Sequence, residues 1–263
     1  MPCEVALIGF GEAGSTFAAA GGWEGRASAY DIALARLEAA GAMARPSAAE
    51  ALAGVPLVIS LVTADSALPA ARDDAALLAP GVIWCDGNSV APETKRSAAE
   101  AIEAAGGRYV DLAILAPVNP ARMAVPLLLS GKAAAEAEAR LRALGFTNIR
   151  IVGDEVGRAS AIKMIRSVMV KGIEALTDEM MAAARAAGVE DEVLASLDAS
   201  EKQVSWETRA AYNLERMETH GLRRAAEMDE SAKTLLALGV DPVMTRGTVL
   251  RQRQAPGRKG ETA

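Results

Sequence analysis

Gly9-Phe10-Gly11-Glu12-Ala13-Gly14 follows the apolar run Val5-Ala6-Leu7-Ile8 and opens a helical pattern. That arrangement suits the binding of a diphosphate. Gly9 permits a tight turn, Gly11 lets backbone approach an anionic bridge, and Gly14 lets helix and strand pack closely. Phe10, Glu12 and Ala13 lie between them, where a helix N-terminus offers free amide donors and the positive end of its dipole. A strand before and a helix after separate this fingerprint from an ordinary glycine-rich turn. Asp31 stands 31 − 9 = 22 positions after the first glycine. There an acid accepts the ribose hydroxyls of an adenine dinucleotide, and its charge repels a 2′-phosphate. Ile32 and Ala33 supply no guanidinium for such a phosphate, whereas Arg36, about a helical turn on, can swing in. NAD is therefore expected in preference to NADP. Asp31 can equally cap the following helix, and the two roles are compatible.

Two further groups carry chemistry. Lys163 interrupts the apolar run Ala159-Ser160-Ala161-Ile162-Lys163-Met164-Ile165, where a solvated lysine is out of place. In a dry cleft its pKa falls toward neutrality and it can exchange a proton with an alcohol; a clamp on a pyrophosphate is the alternative. The single histidine, His220, shares a helical face with Arg223, Arg224 and Glu227. This cluster can hold a substrate carboxylate or phenolate. It also reads as an ordinary helix surface with Arg223 and Glu227 as an i,i+4 pair worth about 0.3 kcal/mol. Cys3 and Cys85 have no CxxC spacing and no neighbouring histidine, which argues against a disulfide framework or a metal site.

Positioning these groups requires alternating elements. Short apolar runs at 4–9, 28–31, 56–62, 82–86, 108–115, 126–130 and 148–152 read as strands. Helical stretches at 13–21, 33–42, 48–53, 66–78, 92–106 and 132–144 lie between them. The pattern is α/β: a Rossmann domain with a doubly wound, mostly parallel sheet. Beyond Gly157 the strand-like runs cease and long helical patterns follow at 159–188, 191–197, 207–238 and 241–254. The expected division is thus 1–155, a nucleotide-binding domain, and 156–263, an all-helical domain for substrate and dimerisation that ends in a basic, flexible tail. Apolar faces left over in such a helical array are expected to be covered by a second copy, giving a homodimer. Thr63 and Ser89 end the third strand and follow the fourth. Thr63 can touch the cofactor ribose, and Ser89 can cap the helix beginning at Pro92.

Composition narrows the class. The 263 residues are 51% hydrophobic and 24% charged, with formal net charge −6. The acidic balance excludes the footprint of a nucleic-acid binder. No apolar run approaches the ~20 residues of a membrane span. The start Met1-Pro2-Cys3-Glu4 lacks a basic region and the next apolar stretch is broken by glycines and Glu12, so no signal peptide is expected and the cytoplasm is the expected location.

The chain resembles the 3-hydroxyacid dehydrogenases related to 6-phosphogluconate dehydrogenase and 3-hydroxyisobutyrate dehydrogenase, in a subgroup whose C-terminal domain was catalogued as of unknown function. Four ordered segments carry the resemblance: Ile8 to Gly14, Asp86-Gly87-Asn88-Ser89-Val90-Ala91-Pro92, Gly157-Arg158-Ala159-Ser160-Ala161-Ile162-Lys163-Met164, and Met217 to Met228. The resemblance implies that Lys163 is the general acid/base, that Ser89 lies near the nicotinamide, and that His220 and Arg223 bind substrate. Two departures bear on the substrate. Ser167 stands where the family has an asparagine, and it can donate only one hydrogen bond. The family's glycine-rich substrate loop is replaced by Asp111-Leu112-Ala113-Ile114-Leu115-Ala116-Pro117-Val118-Asn119-Pro120, in which Asn119 is the polar candidate for substrate contact. The expected substrate is therefore a small molecule, a hydroxy acid or something bulkier and less polar. An imine reductase, a redox-neutral lyase or isomerase, and a non-enzymatic NAD sensor are the competing readings. Retention of Lys163 argues against the imine reductase.

Overall fold

The computed structural model describes residues 3–200 and 204–255. Seven strands form one sheet: β1 (Val5–Ile8), β2 (Ala27–Tyr30), β3 (Leu57–Ser60), β4 (Ile83–Asp86), β5 (Arg108–Ile114), β6 (Leu127–Ser130) and β7 (Ile149–Gly153). Their order is β2-β1-β3-β4-β5-β6-β7. All neighbours run parallel except β5 and β6. The strands read as unbroken apolar runs because helices cover both faces. Alternate residues enter opposite cores: Val5, Leu7, Ile59, Cys85 and Val110 on one face, Ala6, Ile8, Val58, Trp84 and Tyr109 on the other. The chain returns from β2 to pair β3 with the far side of β1, so β1 and β3 flank the point where strand order reverses. Ligands of open α/β sheets bind there, beyond the carboxyl ends.

The connecting helices are α1 (Glu12–Gly21), α2 (Leu34–Ala39), α3 (Ala48–Leu52), α4 (Ala64–Ala75), α5 (Pro92–Ala104) and α6 (Ala134–Ala143). Helix α4 begins two residues before the expected position, 66 − 64 = 2, and Pro69, inside the expected range as well, lies in its second turn.

Helices α7 (Arg158–Ala187), α8 (Glu190–Ser200), α9 (Trp206–Ala237) and α10 (Val243–Gln254) follow among the described residues. The change of pattern near Gly157 marks the start of α7, but the compact units divide later, with the first ending at Ser167 and the second beginning at Val168. The cause is packing: Ala159 and Ile162, in the opening turns of α7, sit against Ala113 and Leu128 of the sheet. In the second unit α9 and α10 pack together. The basic stretch expected as a loose tail is, over 246–254, part of α10, with Val249 and Gln252 buried; beyond 255 that stretch lies outside the described residues. Glu179 of α7 anchors α10: its carboxylate accepts from the Met244 N–H (2.6 Å), the Thr245 N–H (2.9 Å) and the Thr245 hydroxyl (2.6 Å). Desolvation pushes this carboxyl up, but the hydrogen bonds from Thr245 and the two amides outweigh it and hold its pKa below the ordinary 4.5.

Among the described residues no helix is long and apolar enough to cross a membrane, and no cluster of three or more His, Cys, Asp or Glu can hold a metal ion.

Candidate active site

The glycine turn has the geometry its sequence demands. Gly9 has φ +94°, and a Cβ there would stand 2.5 Å from the Leu61 carbonyl oxygen, so only glycine fits. A Cβ on Gly14 would stand 2.8 Å from the Gly9 carbonyl oxygen, which allows α1 to lie close on the turn. At Gly11 the space is open, bounded by an Arg36 guanidinium nitrogen at 3.8 Å. No side chain caps α1, whose N-cap is Gly11, so its first-turn amides face the open space. An uncapped helix start beside room for an approaching anion fits the diphosphate of a dinucleotide.

Asp31 is buried at the end of β2 and ties the first two βα turns together. One carboxylate oxygen accepts from the Phe10 N–H and the other from the Ala33 N–H, both at 2.8 Å. The second contact is an Asx turn rather than a helix cap, since Ala33 is the N-cap of α2. Arg36 approaches the same carboxylate at 3.7 Å. Beside them lies a cavity of about 370 Å³ lined by Tyr30, Asp31, Arg36, Thr63, Asp73 and Asp74 among others. Thr63 precedes α4 and donates its hydroxyl proton to Ser66 at 3.0 Å. Asp74, which sequence reasoning missed, is buried; desolvation, and then the neighbouring Asp73 charge, push its pKa from 3.8 up to about 6. Its place in the buried row Ala67, Ala71, Asp74, Ala75 of α4 is the signal that could have found it.

A second cavity, about 310 Å³, opens along the same sheet edge and is lined by Glu12, Asn88, Ser89 and Lys163 together with Leu61, Val62, Ile114, Ala116, Pro117 and Val118. Lys163 is half-buried, and its ammonium donates to the Ser89 hydroxyl oxygen at 2.5 Å. Ser89 does not cap α5, because Ala91 is the N-cap and Pro92 supplies the first helical turn. Asn88 locks the turn that presents Ser89: its carbonyl accepts from the Val62 N–H (2.7 Å) and its amide donates to the Ser60 hydroxyl (3.0 Å). Ser167 donates back to the Lys163 carbonyl oxygen at 2.8 Å, a local bond within α7. Arg166 donates to the Leu115 carbonyl at 3.1 Å, holding the apolar loop. Asn119 is exposed, outside the residues lining this cavity. His220 and Arg223 lie on the exposed side of α9 in the second unit, with Arg224 half-buried; the Glu227 side chain lies outside the described residues. Burial pushes the Cys85 thiol to about 12, the nearby Asp86 adding to the effect, so this cysteine is inert at neutral pH.

Below the second cavity is a polar cluster that sequence reasoning also missed. Lys95, fully buried, donates to the Asp86 carbonyl (2.5 Å) and carboxylate (2.8 Å). The Tyr109 hydroxyl donates to the other Asp86 oxygen at 2.6 Å. Burial above all, then the Asp86 charge, drives the Tyr109 phenol well above its usual 10, keeping it a proton donor. A clue was present: Lys95 shares the helical face of Ala98, Ala99 and Ile102.

A mostly parallel sheet with its strand reversal at a glycine turn, an uncapped helix start and a Ser–Lys pair along the same edge define a dinucleotide-binding protein of dehydrogenase fold. Comparison gives the family. Residues 4–151 match the NAD binding domain of 6-phosphogluconate dehydrogenase, and residues 184–255 match the domain of unknown function DUF1932. The chain belongs to the family defined by that NAD binding domain, as the sequence resemblance implied. A conserved hypothetical protein from Sinorhizobium meliloti 1021 is 36% identical, covering 100% of this chain and 92% of that one, with a TM-score of 0.61. Conserved protein MTH1747, described as structurally similar to 3-hydroxyacid dehydrogenases, is 33% identical over 95% of this chain and 96% of that one, with a TM-score of 0.60. An imine reductase from Aspergillus terreus, in complex with NADPH4 and dibenz[c,e]azepine, shares the fold at 20% identity, covering 100% and 97% of the two chains with a TM-score of 0.72.

Proposed function

We propose that this chain is an NAD-dependent oxidoreductase acting on the alcohol carbon of a hydroxy acid or of a bulkier, less polar substrate, with Lys163 as general acid/base. The carrying observation is the Lys163–Ser89 hydrogen bond at the cavity beside the glycine turn. The amides of Gly11, Glu12, Ala13 and Gly14 hold the diphosphate, Phe10 keeps the turn in place through its N–H on Asp31, Asp31 and Thr63 hold the adenosine ribose, and Ser89 lies beside the nicotinamide. When bound, the nicotinamide supplies the hydride acceptor or donor. The Lys163 amine takes the hydroxyl proton as the alcohol carbon loses hydride, and returns it in the reverse direction; Ser89 orients the amine. NAD is favoured over NADP because the adenosine cavity carries the carboxylates of Asp31, Asp73 and Asp74 against the guanidinium of Arg36, itself next to Asp31. A 2′-phosphate would add charge to an acidic wall.

The apolar lining around Lys163 supports a substrate with an extended hydrocarbon or aromatic part. Ser167 and Asn119 are the polar groups we assign to its far end; His220 and Arg223 of the helical unit remain our candidates for substrate binding. Exposed Leu214, Leu222, Leu236 and Leu250 support a homodimer through the helical unit. A cytoplasmic location belongs to the same reading. The test is a panel of alcohols with NAD and its reduced form, using wild type and Lys163→Ala. The reading expects NADH formation by wild type and at least ~100-fold slower turnover with intact NAD affinity in the variant. Turnover with no net NADH change would point instead to a lyase or isomerase, reduction of imines with Lys163 dispensable to an imine reductase, and affinity without any turnover to a sensor.

A further inference from the structure

Register sets the problem. Asp86 and Asp111 are partners across the parallel strands β4 and β5, and both side chains are buried. Two carboxylates side by side in a dry interior repel one another and demand a cation. Lys95 supplies it from α5: its ammonium, 0% exposed, is 2.8 Å from one Asp86 carboxylate oxygen and 3.5 Å from Asp111 Oδ1. The longer contact is an ion pair without hydrogen-bond geometry, and Asp111 Oδ1 receives no hydrogen bond.

The two carboxylates lead to opposite halves of the Ser89–Lys163 pair. Asp86 accepts from the Asn88 N–H at 2.9 Å, closing the turn whose next residue is Ser89. Asp111 Oδ2 accepts from the N–H of Gly157 (3.2 Å) and Ser160 (2.9 Å) and from the Ser130 hydroxyl (3.3 Å). Ser130 in turn accepts from the Ala159 N–H at 3.0 Å. The start of α7 is thus capped by a strand-borne aspartate, and Lys163 is on the helix one turn after Ser160. Cap and turn meet at a single ammonium.

We propose that Lys95 is a positioning residue for proton transfer, fixing Ser89 and Lys163 relative to one another by bridging Asp86 to Asp111. This rests on the assignment of Lys163 as acid/base. Lys95 lies outside the residues lining either cavity, so it acts through its two partners. Without it, Asp86 and Asp111 repel across β4 and β5, the Asn88–Ser89 turn and the α7 cap separate, and the hydrogen bond that holds the Lys163 ammonium weakens.

The test uses full-length protein labelled with 13Cε-lysine, the Lys163 resonance being assigned by its loss in Lys163→Arg. Variants Lys95→Met and Lys95→Met/Asp86→Asn are compared with wild type; the second removes one of the two opposed carboxylates and so relieves their repulsion if the first does not fold. Three readouts are taken: the thermal transition, NADH affinity and the pH titration of Lys163. The proposal expects the folded variant to keep NADH affinity within about threefold while the Lys163 titration midpoint moves by at least half a pH unit, a roughly threefold change in its proton affinity. A titration identical to wild type in a folded variant overturns it and leaves Lys95 a core ion pair. Loss of NADH binding together with an unchanged Lys163 titration also overturns it. The titration needs no substrate, so failure of the acid/base assignment shows separately, as full turnover by Lys163→Ala.

Discussion

Ser89 meets the Lys163 ammonium at the cavity wall while the opening turns of α7 pack against the sheet, and this fixes where the proton carrier of the proposed reaction stands. Asp74 offers a residue-scale test that needs no substrate. Its carboxyl titrates near 6 in the folded protein against 3.8 ordinarily, so the native state holds the proton more tightly than the unfolded chain. A group of that kind is neutral in its effect below about pH 4, and the protein loses stability as pH rises through 4 to 6. A tenfold difference in proton affinity between folded and unfolded chain corresponds to ~1.4 kcal/mol, so Asp74→Asn should stabilise the fold by roughly 2 kcal/mol at pH 7.5 and by almost nothing at pH 3.5. Urea unfolding at the two pH values measures both. Gly9→Ala goes the other way: with φ at +94° and a Cβ forced onto the Leu61 carbonyl, it should lose more than ~1–2 kcal/mol and bind NADH poorly, which denaturation and fluorescence titration would register.

At the level of elements, Glu179 ties α7 to α10 as Asp111 ties the start of α7 to the sheet. The folded-state pKa of Glu179 is below 4.5, so its contribution is complete above that value and is lost as pH falls through the folded pKa. Glu179→Gln presents an amide donor to at least one of the donors on Met244 and Thr245. It should cost about 1–3 kcal/mol at pH 7 and progressively less below pH 4.5, with hydrogen exchange in 243–254 faster than in the sheet. The strands and most helices were legible in the sequence because buried parallel strands are short apolar runs and glycines punctuate the helices. The glycine turn and Asp31 were legible for a related reason, since their spacing is dictated by backbone geometry. Lys95 was not: in Glu93-Thr94-Lys95-Arg96 it looks like a solvated charge, and only strand register reveals the two aspartates that call it inward. The capping role open to Ser89 fell away only when Ala91 was seen to occupy the cap. The opening turns of α7 join the first unit because they complete a core on the sheet, which helical periodicity cannot disclose.

For the whole molecule, the helical unit carries the surface on which the proposed homodimer can be tested. Leu214 and Leu222 are 68% and 66% exposed on α9. Sedimentation should give a dimer for wild type at micromolar concentration and a smaller species for Leu214→Glu/Leu222→Glu; a wild-type monomer would remove the homodimer from the account.

The measurement that bears most directly on the central claim is calorimetric titration of the purified chain with NADH and, separately, NADPH. Saturable binding of one NADH per chain, at least ~10-fold tighter than NADPH, a difference of about 1.4 kcal/mol, is the predicted result. Absence of binding by both nucleotides would contradict the account at its root, and a preference for NADPH would contradict the role given to Asp31, Asp73 and Asp74.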